Sequence, residues 1–286
     1  MKNYKENFMK WIFLIAACTS VLAVALICLF LFVNGVPAIQ KIGVFDFLLG
    51  EKWKPSNNIY GILPMIMGSI YVTAGAIVIG VPVGLLTAIF MAKFCPQVIY
   101  KPLKAATELL AGIPSIVYGF FGLVVMVPFI RENFQGNGSS MLTASLLLGI
   151  MILPTIIGVS ESAIRTVPTA YYEGALALGA THERTIFWVI VPAAKSGILA
   201  GVVLGIGRAI GETMAVMMVA GNQARMPAGI FKGVRTMTTN IVLEMGYAAD
   251  LHREALIATA VVLFVFILII NLSVSVLNRR MVNGGN

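Results

Sequence analysis

The stretch AKSGILAGVVLGIGRAIGETMAVMMVA, residues 194–220, decides how the rest of the chain is read. Apart from Lys195 near its start it is small or apolar, yet it carries Arg208 and Glu212 four positions apart. A helix of about 20 such residues crosses a hydrocarbon core of roughly 30 Å. Residues four apart on a helix share a face, so the sequence predicts that the guanidinium and the carboxylate meet. At mid-membrane an Arg costs about 2.5–3.5 kcal/mol on insertion scales and a carboxylate a similar amount, so two apolar residues would sit there more comfortably. An intramembrane ionisable group therefore points to a pathway or site. The Arg fork is planar, permanently charged and suited to oxyanions. The residues alone leave a second reading open: a structural pair that locks helices, with an Arg near enough to the interface to snorkel.

The composition around this stretch is that of a membrane protein. Of 286 residues, 59% are hydrophobic and only 11% charged, with a mean hydropathy of +0.93. A soluble domain carries about 25% charged residues. The predicted fold is an all-α polytopic membrane protein, one transmembrane domain over residues 1–286 with about six transmembrane helices. The spans are expected at about 11–33, 62–92, 109–130, 142–160, 196–220 and 255–277. The basic opening MKNYKENFMKW leads into an apolar run longer than the roughly 7–15 residues of a cleaved signal core, so a retained first helix is expected. Pro82, Pro114 and Pro154 are expected to mark kinks or segment boundaries.

Six spans put both termini on one side. Eleven basic residues then share that side: Lys2, Lys5, Lys10, Lys93, Lys101, Lys104, Arg165, Arg184, Lys195, Arg279 and Arg280. Eight lie opposite: Lys41, Lys52, Lys54, Arg131, Arg225, Lys232, Arg235 and Arg253. The bias places the termini in the cytoplasm. The same topology accounts for the net charge of +8, and no basic stripe with interleaved aromatics points to nucleic acid. Cys18, Cys28 and Cys95 form no C-x-x-C and suggest no metal site or disulfide framework. His182 and His252 read as ordinary polar loop residues. The chain has no G-x-x-x-x-G-K-[ST], no H-E-x-x-H and no G-x-S-x-G, so any ATP must be held elsewhere. No cofactor is expected on this chain, which is read as a transport subunit rather than an enzyme.

The connection at 161–195 becomes the longest on the cytoplasmic face and looks structured. Pro168 precedes a helix-forming stretch, Tyr171 to Leu178; Gly179 offers a stop, and a second stretch runs to Pro192. Glu161 and Arg165, four apart at its start, read as a surface helix pair. Glycines recur in the second span (Gly68, Gly75, Gly80, Gly84), the third (Gly112, Gly119, Gly122) and the fifth (Gly197, Gly201, Gly205, Gly207, Gly211). Gly201-x-x-x-Gly205 and Gly207-x-x-x-Gly211 let a helix approach its neighbour closely, within the bundle or at a subunit interface. Ser115, Thr155, Ser160, Thr213, Asn271, Ser273 and Ser275 could line a path, though such hydroxyls mostly bond their own helix backbone.

The loop also carries a motif. E-G-A-L-A-L-G at 173–179, followed nine residues after its last glycine by V-I-V-P at 189–192, resembles the EAA signature of binding-protein-dependent ABC importer permeases. Glu173, Ala175, Gly179 and Pro192 fall in place; Gly174 replaces an Ala, and Val189 and Val191 replace Ile and Leu. AGIPSIVYGFFG at 111–122, LPTIIGVSESAIRTVP at 153–168 and GRAIGETMAV at 207–216 resemble the phosphate-specific (Pst) branch, G-E-T-M-A-V being more similar to PstC-type than to PstA-type permeases.

This resemblance implies an inner-membrane subunit of a bacterial phosphate importer. A second, similar permease would share the translocation path, and a dimer of ATP-binding subunits would carry the ATP. An extracytoplasmic phosphate-binding protein would deliver the cargo. It implies that Glu173, Gly174, Ala175, Gly179 and Pro192 belong to the segment that couples to the ATPase, and that Arg208 and Glu212 mark the passage of phosphate. An Arg serves sulfate or molybdate as well, so another oxyanion remains open on chemistry alone. A secondary transporter or channel would be favoured by an inverted repeat, which the sequence does not display.

Overall fold

The computed structural model describes residues 2–134 and 136–283, with side chains described from Glu6 to Ser273 and at Val276. The side chains of Ser275, Lys2, Lys5, Arg279 and Arg280 lie outside those described. The chain opens with α1 (Lys2–Ile42) and α2 (Val44–Leu49), then a two-stranded hairpin, β1 (Trp53–Lys54) and β2 (Ile59–Tyr60). There follow α3 (Leu63–Ile89), α4 (Gln97–Gly112), α5 (Ser115–Phe121), α6 (Val127–Asn133) and α7 (Met141–Thr166). A cluster of short helices comes next: α8 (Thr169–Ala177), α9 (His182–Thr185) and α10 (Val191–Ala193). The chain closes with α11 (Lys195–Gly211), α12 (Met214–Val219), α13 (Met237–Met245) and α14 (Asp250–Asn283).

The bundle is organised around α7. In its most apolar window 61% of residues are buried inside the chain, against none in that of α1. Glycine makes this possible. A Cβ on Gly80 would stand 2.8 Å from the Gly149 carbonyl oxygen and the Ile152 side chain, so α3 lies directly on α7. On the other flank a Cβ on Gly197 would stand 2.4 Å from that of Ala163, and one on Gly205 3.0 Å from Ile156. Small residues allow such approach, and packing replaces the hydrophobic drive that lipid removes. Helix α1 leans on α14 through Gly35, against Val261 and Ala258.

Among the described residues five helices are individually long and apolar enough to cross a membrane. A sixth crossing needs the pair His182–Ala193 and Lys195–Gly211, which are bent by 69°. The first, fourth and sixth expected spans fall within α1, α7 and α14, and the second, 62–92, overlies α3 and the π-helical turn that ends it, Leu63–Phe94. The third and fifth differ. The expected span at 109–130 joins the end of α4 to α5; the chain breaks at Ile113–Pro114, because a residue before proline is driven out of the helical region. The crossing itself is Ser115–Asn133. The expected span at 196–220 stops as a helix at Gly211 and resumes as α12.

Proline explains three further irregularities. Cys95, Val127 and Val191 each precede a proline, and each donates its N–H to the carbonyl five residues back, on Phe90, Gly122 and Ile186. A proline ring crowds the carbonyl four residues back, and the turn before it widens into a π-helical one. Pro82 and Pro154, by contrast, sit inside the continuous helices α3 and α7.

Candidate functional site

Arg208 and Glu212 do not pair. The i,i+4 expectation fails because the helix ends between them: Glu212 has φ −69° and ψ 129°, which turns its side chain toward the next helix. Its Oε1 accepts the N–H groups of Thr213 and Ala215, both at 3.1 Å. A carboxylate at the start of α12 satisfies donors that have no partner within the helix. Arg208 keeps only the Thr155 hydroxyl, at 3.4 Å from Nη1, and among the described residues has no carboxylate partner. Thr155, on α7, is thus the hydroxyl that the structure brings to the charge.

The ground beside Arg208 is open. A Cβ on Gly207, Gly211 or Gly158 would meet nothing within 4 Å. The two glycine motifs of α11 therefore divide: Gly201 and Gly205 pack on α7, while Gly207 and Gly211 face away from the rest of the chain. Toward the α8 end, the same side of α7 and α11 forms a groove of about 680 Å³ lined by Gly158, Ser162, Thr166, Tyr171 and Ser196. Of the other hydroxyls, Ser160 is fully buried, Thr213 donates to the Gly211 carbonyl at 3.3 Å and Ser273 to that of Ile269 at 2.7 Å. Ser115 starts α5 half-buried, and Asn271 is exposed on α14.

The first residues of the 161–195 segment complete α7; the rest is helical on both sides of a turn at Gly179, as α8 before it and as the run His182–Ala193, made of α9, a π-helical turn and α10, after it. Gly179 has φ +84°, with its N–H on the Leu176 carbonyl at 2.9 Å and that of Ala180 on the Ala175 carbonyl at 3.1 Å. This left-handed cap is where glycine carries no Cβ penalty. No residue of α8 is buried, so Glu173, Gly174 and Ala175 sit on a helix without a cover in this chain. Leu178 is 91% exposed and Trp188 78%. Pro192 closes the widened turn that ends in the 69° bend. His182 is more than a polar loop residue: its Nδ1 meets the Tyr172 hydroxyl at 2.7 Å and its ring stands edge-on to Phe94, 5.0 Å between centroids. It braces α8 against the end of α3.

Two glutamates are buried: Glu161, which the sequence reading puts on the surface, and Glu244, which it does not single out. Glu161 is no surface pair with Arg165, for its side chain is only 2% exposed. Its oxygens accept from the Tyr100 hydroxyl at 2.7 Å, Arg165 Nε at 2.8 Å and Lys104 Nζ at 2.9 Å, tying α4 to α7. That bond to Glu161 holds the Lys104 ammonium above its usual pKa and raises the Tyr100 phenol as well. At the opposite end Glu244, 8% exposed, accepts from Trp53 Nε1 at 2.8 Å and Arg235 Nη1 at 2.6 Å and meets His252 Nε2 at 2.8 Å. His252 is thus part of a network rather than a free loop residue. An intramembrane carboxylate at the end of an apolar run was the available signal for Glu161.

The comparisons with known proteins fit this architecture. Residues 80–283 match the family model described as "Binding-protein-dependent transport system inner membrane component". The chain belongs to that family. This permease is 41% identical over 270 residues to the "Probable ABC transporter permease protein YqgH" of Bacillus subtilis, covering 90% of this chain and 87% of the other. It is 36% identical over 261 residues to the "Phosphate transport system permease protein PstC" of Mesorhizobium japonicum, covering 84% and 80%. In fold, it is similar to a chain of a bacterial alginate ABC transporter crystallised with its pentasaccharide-bound periplasmic protein. That match has a TM-score of 0.68 at 15% identity and covers 97% of each chain. The permease is therefore a multi-pass membrane component of an ABC transporter, a transport subunit and not itself an enzyme.

Proposed function

We propose that the chain is the permease subunit of an ATP-driven inorganic phosphate importer in a bacterial inner membrane, with both termini cytoplasmic. The observation that carries this reading is Arg208: a permanently charged fork on an open glycine face, held by one threonine hydroxyl and by no carboxylate among the described residues. Such a group can receive an oxyanion without first breaking an ion pair. Relatives named as phosphate permeases supply the cargo.

On this reading a second, similar permease covers the open side of α7 and α11, and the path runs between the two. Helix α8, with Glu173, Gly174 and Ala175, rests on an ATP-binding subunit; Gly179 and Pro192 shape the turns that carry its motion to α11. ATP sits on a dimer of those partner subunits, and an extracytoplasmic phosphate-binding protein delivers phosphate from the α13 end. Glu212 orients the break beside Arg208 by holding the start of α12. A transport station must also release its cargo, and one part-buried Arg beside an open glycine face binds an anion less tightly than a closed cluster would.

The test is labelled-phosphate uptake in phosphate-starved cells lacking the chain, with sulfate and molybdate as competitors. Uptake restored by the chain and indifferent to both competitors is expected. Uptake that never depends on the chain, or that either competitor abolishes, overturns the phosphate assignment.

A further inference from the structure

The break after Gly211 is held from outside its own helix. The Glu212 carbonyl oxygen accepts the Thr238 hydroxyl at 3.1 Å. Thr238 stands near the start of α13, and that start is fixed twice: Thr236 and Thr239 bond reciprocally as a cap, and the Met237 N–H donates to Ser69 Oγ on α3 at 3.0 Å. Six residues on, roughly 9 Å along the helix axis, Glu244 gathers Trp53, Arg235 and His252. Helix α13 is thus a strut, clasped at its far end by hairpin, loop and α14, and touching the break with Thr238.

We propose that Thr238 is a positioning residue for the substrate pathway, acting through the Glu212 carbonyl, and that Glu244 fixes the helix that carries it. The Glu212 peptide links the last turn of α11, which bears Arg208, to the carboxylate that holds α12. A carbonyl that loses its donor in a part-buried site seeks another, because an unpaired buried acceptor is costly. The peptide then turns, and the Glu212 carboxylate and Arg208 lose their fixed relation. The inference rests on the pathway reading above.

The test uses the assembled transporter, with its partner permease and ATP-binding subunits, in lipid nanodiscs for amide exchange and in proteoliposomes for uptake of phosphate supplied by the binding protein. Thr238→Val keeps the shape and removes the donor; Thr238→Ser keeps the donor. We expect Thr238→Val to speed exchange at Thr213 and Ala215 and to lower maximal uptake roughly five-fold, the scale of one neutral hydrogen bond. Thr238→Ser restores both. Exchange and uptake unchanged in Thr238→Val, or unrestored by Thr238→Ser, overturn the proposal. Should Thr238→Val fail to assemble, Glu244→Gln decides: faster exchange at Thr213 and Ala215 supports the strut, and no change there sinks it. Wild-type transporter that takes up no phosphate defeats the cargo assignment instead, while the exchange data still judge the positioning role.

Discussion

At each end of the bundle a buried glutamate is enclosed by three side chains, whereas near its middle Arg208 meets one hydroxyl at 3.4 Å. The end clusters join segments far apart in sequence: Glu161 reaches Tyr100 across 61 positions, and Glu244 reaches Trp53 across 191. Their charges are desolvated and paired, so they fix geometry. Arg208 is left available, on a face where Gly207 and Gly211 bring no side chain of their own. Both kinds of charge lie in an apolar chain, and partners alone separate their roles. The difference teaches that an ionisable residue in a membrane segment is a site only after its partners have been counted.

This contrast can be pressed hardest at the closed end. Lys104→Met with Arg165→Met strips Glu161 of both cations, and breaking a buried pair in this way costs about 3–5 kcal/mol. We expect that double variant to lose most of its thermal stability in detergent, and Lys104→Met alone to lose much less, since Arg165 and Tyr100 still hold Glu161. Equal losses in the single and double variants would show that the three donors do not act on one carboxylate.

The glycines sharpen the same contrast on α11. Gly197→Leu forces a side chain against Ala163 Cβ and should cost about 1–3 kcal/mol, whereas Gly207→Leu projects into open space and should leave the melting temperature of the chain nearly unchanged. Comparable losses at both positions would mean that Gly207 is packed after all.

The smallest effect concerns pH. The Glu161 bond raises the Lys104 pKa above its ordinary 10.5, so its contribution is complete below that value and disappears only as pH climbs through the raised one. The melting difference between wild type and Lys104→Met should therefore be flat from neutral pH to about 9. A difference that fades between those values would contradict the raised pKa.

Much of this was legible in the sequence, for identifiable reasons. Hydropathy marks α1, α3, α7 and α14 because each is one uninterrupted helix. The Gly179 turn is legible because only a left-handed cap fits a glycine there so well. The helix-forming run between Pro168 and Gly179 marks α8. Hydropathy continues across two breaks, so the expected spans run through both: Ile113–Pro114, where Pro114 is expected to mark a kink or boundary, and Glu212–Thr213, which is missed. Proline gave a local signal at the first. At the second, a glutamate that caps a following helix reads like one that salt-bridges four residues back, and the choice depends on Thr238, 26 positions away. The Glu244 cluster had no local signature, since its four members come from four separate segments.

The central claim is that Arg208 is free to receive the anion. The most direct measurement is labelled-phosphate uptake by wild type and Arg208→Gln in phosphate-starved cells lacking the chain, with membrane levels of both checked. The account predicts that Arg208→Gln assembles at the wild-type level and takes up about a hundredth as much phosphate or less, a loss on the scale of about 2.7 kcal/mol or more. An Arg208→Gln permease that assembles and transports like wild type would make Arg208 a structural residue and place the path elsewhere.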